Sequence, residues 1–326
     1  MLRTGLNPYG LAYYLGLQGA GTPRANPDPK GLDGFIAIAE ELGSKTLEIW
    51  EGWLEKLAPA ELDALRVRLE GLDMTPVISS GLQNGNIEAC IRAATALNAK
   101  TIRFALTPVL CGDRNAWGAK WYEMVSLVRS RLADWALRSA EHGLTIVIEN
   151  HQDFTSRELV NLCDESGPNV GIVYDTGNSF PVGEAPLDFT RVIAPHVRHL
   201  HLKDYRVQFT SEGFRLVRCA LGEGAVPFTE IVAILSEHHQ NLTAVLEPGA
   251  LEARHVRLFT PDWWRGYAPR EAETLAACLL AAQRNMLPVD ADYRTPWERQ
   301  ADGEVAGYEL TMIRRSAANM KAIGLM

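Results

Sequence analysis

A chain of 326 residues with 47% hydrophobic and 22% charged residues has ordinary globular composition, which excludes intrinsic disorder and leaves enough length for a core without staples. The formal net charge of −8 excludes the basic face that nucleic-acid binding needs, and no apolar run approaches a membrane span. The amino terminus shows no apolar stretch followed by a cleavage site, and the five dispersed cysteines lack C-x-x-C spacing, so a reduced, cytoplasmic protein without a signal peptide is expected.

Short β-rich apolar runs alternate with longer segments of helical period, the pattern of repeated βα units on a parallel sheet. The run over 10–17 reads as the first strand. A helix over 32–42 follows, with Phe35, Ile38, Ala39 and Leu42 on one face. The second and third strands are predicted at 46–50 and 75–79. Ile87, Ile91, Ala94 and Leu97 mark the next helical stripe, and the fourth strand is 101–106. A long helix over 117–142 stops at Gly143, a suitable C-cap. Four more strands follow at 145–149, 170–174, 197–202 and 243–246. The helices between them are 156–165 with Ser156 as N-cap, 187–193, and 227–237 with Pro227 near the first turn. Eight strands close a barrel, whereas an open doubly wound sheet would carry a Gly-rich turn after its first strand, and none is present there. The predicted fold class is therefore α/β, a (β/α)₈ TIM barrel over 1–287 whose last helix spans about 271–285. Residues 288–326, a turn-prone stretch and a helix near 308–323, form a C-terminal helical extension expected to pack on the barrel or on a partner subunit.

In a barrel of parallel strands, chemistry sits at the carboxyl ends. Here four consecutive strands end in or beside a metal-competent residue: Glu149-Asn150-His151, Asp175-Thr176-Gly177-Asn178, His199-Leu200-His201-Leu202-Lys203-Asp204, and Glu247-Pro248-Gly249. Barrel geometry aims neighbouring strand ends at a common point. Three carboxylates and one imidazole suit Mn²⁺, Co²⁺, Mg²⁺ or Zn²⁺, and no thiolate of the kind structural zinc prefers lies near them. The competing interpretation is that loop ends are polar for solubility alone.

These motifs, with Leu221-Gly222-Glu223-Gly224 and the run Leu42-Gly43-Ser44-Lys45-Thr46-Leu47-Glu48, resemble the xylose isomerase-like TIM barrels. Within them the match is to the sugar epimerase and isomerase branch that includes ketose 3-epimerases and inosose dehydratases. The resemblance spans about residues 6–285. It implies one divalent metal, Mn²⁺ first, held by Glu149, Asp175, His201 and Glu247, with His199 the deeper histidine of its strand. It also implies proton transfer next to a carbonyl, through an enediolate that the metal stabilises, with Glu149 and Glu247 as the two acid–base groups. Isomerisation or epimerisation of a sugar is the leading expectation. The alternative is a lyase that eliminates a β-substituent from a keto-sugar, keto-glycoside or inosose, with His151 as its acid or base; as a plain loop residue His151 would bond backbone instead. A non-catalytic sugar-binding protein ranks below both. A DNA-repair endonuclease on the same fold is disfavoured by the acidic charge and by the lack of any histidine before His142.

Substrate contacts are expected from Lys203, Asn178, Trp50 and Arg206. Arg206 falls one residue earlier than the family places its arginine. Asn178 stands where the ketose epimerases often carry histidine, which weighs against 3-epimerisation specifically. Glu48 and Trp50 point into alternate environments, so one of them lines the pocket. Arg103, inside an apolar strand, needs a buried carboxylate partner. Trp117, Trp263 and Trp264 would stack on sugar rings or, more plainly, pack helices. The expected partners are a small sugar or keto-sugar, no nucleic acid and no membrane, with a homo-oligomer or partner subunit reached through the extension.

Overall fold

The structure, a computed structural model, describes residues 2–326; Met1, where the sequence begins the predicted barrel, lies outside them. In chain order it comprises β1 (Leu2–Leu6), α1 (Gly31–Leu42), β2 (Thr46–Trp50), α2 (Glu51–Leu54), α3 (Pro59–Gly71), β3 (Thr75–Gly81), α4 (Ile87–Ala96) and β4 (Thr101–Ala105). There follow α5 (Ala119–Glu141), β5 (Thr145–Glu149), α6 (Ser156–Ser166), β6 (Val170–Asp175), α7 (Pro186–Ile193), β7 (Val197–Leu202), β8 (Tyr205–Thr210) and β9 (Gly213–Arg218). The chain ends with α8 (Phe228–Ser236), β10 (Leu242–Leu246), β11 (Arg254–Val256), α9 (Ala272–Ala282) and α10 (Asp302–Ala322). Eight parallel strands close a TIM barrel in the order β1-β10-β7-β6-β5-β4-β3-β2. Among the described residues no helix is long and apolar enough to cross a membrane.

The local reasons follow the sequence. α1 buries Phe35, Ile36, Ile38, Ala39 and Leu42, and stops where Gly43 turns left-handed at φ 75° and donates its N–H to the carbonyls of Ala39 and Glu40. α6 opens on a capping box in which Thr155 and Glu158 satisfy each other's backbone N–H groups. Thr155, not Ser156, is therefore the N-cap.

The first strand is not at 10–17. β1 runs from Leu2 to Leu6 and closes the barrel by pairing Leu2 with Leu242 through Leu6 with Leu246. Gly5 makes that closure feasible against β2, because a Cβ there would meet the Thr46 carbonyl oxygen at 1.5 Å. The apolar run after it turns instead. The Asn7 side chain caps the Tyr9 N–H, Pro8 sits in the first turn, and the Leu15 N–H bonds the Leu11 carbonyl at 2.9 Å. A short apolar run carries no period that separates strand from turn.

Two features were not predicted. α3 covers β3 with Leu62, Leu65 and Leu69. A three-stranded antiparallel sheet, ordered β11-β9-β8, stands beyond the carboxyl end of β7 and walls the barrel mouth. The final helix α10 lies against the barrel. Val305, Ile313, Ala317 and Met320 are buried on it, and Glu309 accepts the backbone N–H groups of Tyr13 and Tyr14 at 3.1 and 2.8 Å.

Candidate metal centre and active site

β5, β6 and β7 end in or carry Glu149, Asp175 and His201, and Glu247 follows directly after β10. The register places Asp175 opposite His201, and His201 opposite Val245. One donor atom from each of Glu149, Asp175, His201 and Glu247 lies within 4.8 Å of all the others. The Nδ1 of His201 is 3.3 Å from Oε1 of Glu149 and 2.8 Å from Oε2 of Glu247. All four residues are buried, and those three atoms have no hydrogen-bond partner. Buried polar atoms are almost always hydrogen-bonded, so three that converge without one mark a place for a shared electrophile, the His201 proton or a metal ion in its stead.

The ring of His201 is oriented from behind. Its Nε2 is 2.7 Å from Oε2 of Glu48, while Oε1 of Glu48 accepts from the Asn7 amide at 2.9 Å. A carboxylate acceptor at Nε2 fixes a ring proton there and turns Nδ1 toward Glu149 and Glu247, where it carries the second proton of the imidazolium in the metal-free chain and would offer its lone pair to a metal that displaces that proton. His199 sits deeper, with Nε2 3.4 Å from Glu48 and Nδ1 2.6 Å from the Thr243 hydroxyl.

Electrostatics support the same site. Burial, with the charges of Glu247 and Glu149, pushes the Asp175 carboxyl up to about 7 against the pull of Lys203. Burial also opposes charge on Glu149, but Arg103 and His201 hold it well below the usual carboxylate range. Desolvation works against charge on His201 as well, yet Glu48, Glu247 and Glu149 hold it well above an ordinary histidine. Clustered carboxylates that strain against one another are relieved by a divalent cation. The residues present therefore fit one metal ion of the oxygen- and imidazole-binding class.

Two buried cations flank the cluster. Arg103 donates to Oε2 of Glu149 and lies 3.8 Å from Glu48, which supplies the carboxylate partners its strand position demands. Lys203 pairs with Asp175 and, at 2.8 Å, with Oε1 of Glu247. Above them opens a cavity of about 390 Å³, within the range of small-molecule pockets. Arg103, His151, Gln152, Lys203 and Glu247 line it, together with Tyr9, Gln18, Glu252 and Arg254. Burial lowers the His151 imidazole to about 4 and keeps it neutral, although Glu149 opposes the shift, and its Nδ1 has no partner.

The other predicted contacts fall elsewhere. Asn178 is fully buried behind Asp175, donating to Oδ2 at 2.8 Å and accepting from Gln152 at 3.3 Å, so it braces the carboxylate and does not line the cavity. Arg206 is not brought to the site: on β8 its guanidinium donates to the carbonyl of Asn285 at 3.1 Å. Trp50 caps α2 and packs edge-on against Trp53, and Glu48, two residues before it on β2, is the one that reaches the centre. Asp204 accepts the N–H groups of Gly222, Gly224 and Val226, so the Gly-x-Gly turn is filled by the chain's own carboxylate. Trp263 stacks on Tyr267 and Trp264 meets Trp263 edge-on, which packs this loop over Arg114. Asn7, Tyr9 and Arg254 escaped the sequence because the first strand was misplaced and the second sheet unseen. The Asn-Pro cap and the alternation of Tyr205, Val207 and Phe209 were the available signals.

Residues 36–265 match the family described as the Xylose isomerase-like TIM barrel. The chain belongs to that family. Among its relatives, the 3-oxo-isoapionate decarboxylase of Pectobacterium atrosepticum is 24% identical over 226 residues, 68% of this chain and 78% of that protein. The uncharacterised YihM of Escherichia coli is 27% identical over 158 residues, 48% of this chain and 46% of YihM. An inosose dehydratase of Clostridium botulinum is 26% identical over 148 residues, 41% of this chain and 48% of the dehydratase. The chain thus spans less than half the length of two of these three. The fold is shared with a D-psicose 3-epimerase from Clostridium cellulolyticum, whose structure was solved with D-tagatose (TM-score 0.55, 15% identity, 90% of this chain and 93% of the epimerase). It is shared too with the IOLI protein, solved with a bound zinc atom (TM-score 0.51, 12% identity, 90% and 99%). Three of these proteins carry enzyme names: a decarboxylase, a dehydratase and an epimerase.

Proposed function

We propose that this chain is a divalent-metal-dependent enzyme that removes a proton next to the carbonyl of a keto-sugar or a closely related polyhydroxylated ketone. The observation that carries the reading is the convergence of three buried, unpartnered donor atoms, from Glu149, His201 and Glu247, beneath a cavity lined by His151 and Lys203. Glu149, Asp175, His201 and Glu247 would hold the metal. When bound, it acts as a Lewis acid that withdraws charge from a carbonyl oxygen of the substrate, with Mn²⁺ as the first candidate and Co²⁺, Mg²⁺ or Zn²⁺ as alternatives. The relatives' names support a small sugar-like substrate.

The chain's own residues then divide the proton work. Isomerisation or epimerisation needs acid–base groups able to take a proton at one position and return it at another, and Glu149 and Glu247 are the sequence-based candidates. In the structure Arg103 engages Glu149 and Lys203 engages Glu247, so each carboxylate has one oxygen occupied and the other turned toward the metal centre. His151 is the neutral base on the cavity wall whose Nδ1 has no partner. A single unencumbered base suits abstraction followed by loss of a β-substituent, and the Lys203 ammonium lines the same cavity. That arrangement favours the lyase reading over epimerisation, in keeping with the decarboxylase and dehydratase relatives.

The test is incubation of Mn²⁺-loaded protein with a panel of keto-sugars, keto-glycosides and inososes in deuterated water. Elimination predicts release of water or an aglycone that His151→Asn abolishes. Interconversion of isomers with deuterium incorporated from the solvent at the reacting carbon, undiminished in His151→Asn, would return the assignment to isomerase or epimerase.

A further inference from the structure

Three cations line the cavity, and two of them are engaged by the metal-centre carboxylates: Arg103 by Glu149 and Glu48, Lys203 by Asp175 and Glu247. Arg254 differs. It stands on β11, in the small antiparallel sheet and not on the barrel strands that carry the metal ligands, and β11 is fixed by pairing with β9, Arg254 opposite Leu216. Its ion-pair contact among the described residues is with Oε2 of Glu252 at 3.8 Å, beyond hydrogen-bond distance. The other oxygen of Glu252 is taken by the Trp297 indole at 2.8 Å. The Arg254 side chain is 20% exposed, and its Nε is buried without a hydrogen-bond partner.

A guanidinium is permanently charged and presents its donors in a planar fork that matches a carboxylate or phosphate in bidentate fashion. Leaving a buried donor of such a group unpaired is costly, and a ligand anion entering the cavity would recover that cost. A neutral hydroxyl would satisfy one donor and leave the charge facing only the distant Glu252.

We propose that Arg254 is a specificity residue that binds an anionic group of the substrate, so the natural substrate is a keto-sugar bearing a carboxylate or a phosphate. This rests on the cavity being the substrate site. The second sheet thereby supplies selectivity while the barrel strands supply the chemistry.

The test is calorimetric titration of the Mn²⁺-loaded full chain with D-fructose, D-fructose 6-phosphate and 5-keto-D-gluconate, for wild type, Arg254→Gln and Arg254→Lys. At least one anionic probe is expected to bind wild type about tenfold more tightly than D-fructose. Arg254→Gln erases the difference, Arg254→Lys keeps part of it, and the favoured probe distinguishes carboxylate from phosphate. Equal affinity of wild type for all three probes, no binding of either anion, or a preference that survives Arg254→Gln overturns the proposal. Failure of the metal reading shows separately, as absence of Mn²⁺ uptake before any probe is added, and the anion preference is then read on the metal-free chain.

Discussion

The Nε2 of His201 lies 2.7 Å from Oε2 of Glu48, a carboxylate that is itself anchored by the Asn7 amide. The contact fixes which ring nitrogen faces the three carboxylates, and it ties the amino-terminal strand β1 and its neighbour β2 to a centre whose donors come from the other half of the barrel. Residues placed behind a metal-binding histidine typically contribute about 10–100-fold to metal affinity. Glu48→Gln, which keeps the shape and removes the charge, is expected to weaken Mn²⁺ binding by about that factor while the circular dichroism spectrum stays native. An unchanged dissociation constant would show that Glu48 serves packing alone.

Arg103 balances the carboxylates of the metal centre. Its guanidinium, 5% exposed as a residue, faces both Glu149 and Glu48. Removing one member of a buried ion pair leaves an uncompensated charge and costs about 3–5 kcal/mol. Urea denaturation of metal-free Arg103→Gln should show a loss of that order, and saturating Mn²⁺ should recover part of it, because a cation then stands beside Glu149. A loss below about 1 kcal/mol, typical of surface pairs, would contradict this role.

Asp153 gives the protein a pH-dependent stability that does not depend on the metal. It is fully buried, accepts from the Thr107 hydroxyl at 2.7 Å and from the Phe154 N–H at 2.9 Å, and burial raises its carboxyl to about 7. The folded chain therefore holds a proton that the unfolded chain releases near pH 4. Stability falls as pH rises from about 4 to about 7 and is level above that, by an amount on the order of 4 kcal/mol. Asp153→Asn mimics the protonated form, so its stability relative to wild type should improve between pH 5 and pH 8. Parallel curves for the two proteins would rule Asp153 out as the titrating group.

The last helix is part of the folded unit. Ile313 is 0% exposed on α10, and Glu309 accepts the N–H groups of Tyr13 and Tyr14, whose segment leads from β1 to α1. Ile313→Ala is expected to cost about 2–5 kcal/mol, as large-to-small core changes do. A thermal midpoint unchanged by the substitution would mean that α10 stands apart from the cooperative core.

Much of the barrel was legible in the sequence because its strands are short, apolar and end in chemistry. Thr46–Trp50, Thr145–Glu149 and Val197–Leu202 lie where the pattern put them. The strand end is where a hydrophobic run meets an obligatory polar residue, so Glu149, Asp175, His201 and Glu247 stood out together. Arg103 likewise announced a buried partner by its charge in an apolar strand. What the sequence hid depends on contacts between distant segments. Glu48 looks like any alternating strand residue until His201 is placed across the barrel, and Asn178 looks like a pocket residue until Asp175 is seen in front of it. Leu2–Leu6 is too brief to compete with the longer apolar run after it, although only the former has strand partners. Arg206 stands away from the cavity and Arg254 lines it, because both belong to an antiparallel sheet that the βα alternation does not foretell.

The most direct test of the metal centre is elemental analysis of the purified full chain after Mn²⁺ soaking and desalting, alongside Glu149→Gln and Asp175→Asn variants of native circular dichroism. One equivalent of divalent metal per chain in the wild type, lost in both variants, is the predicted result. Wild-type protein that retains no metal, or variants that retain as much as wild type, would contradict the assignment of Glu149, Asp175, His201 and Glu247 as its ligands.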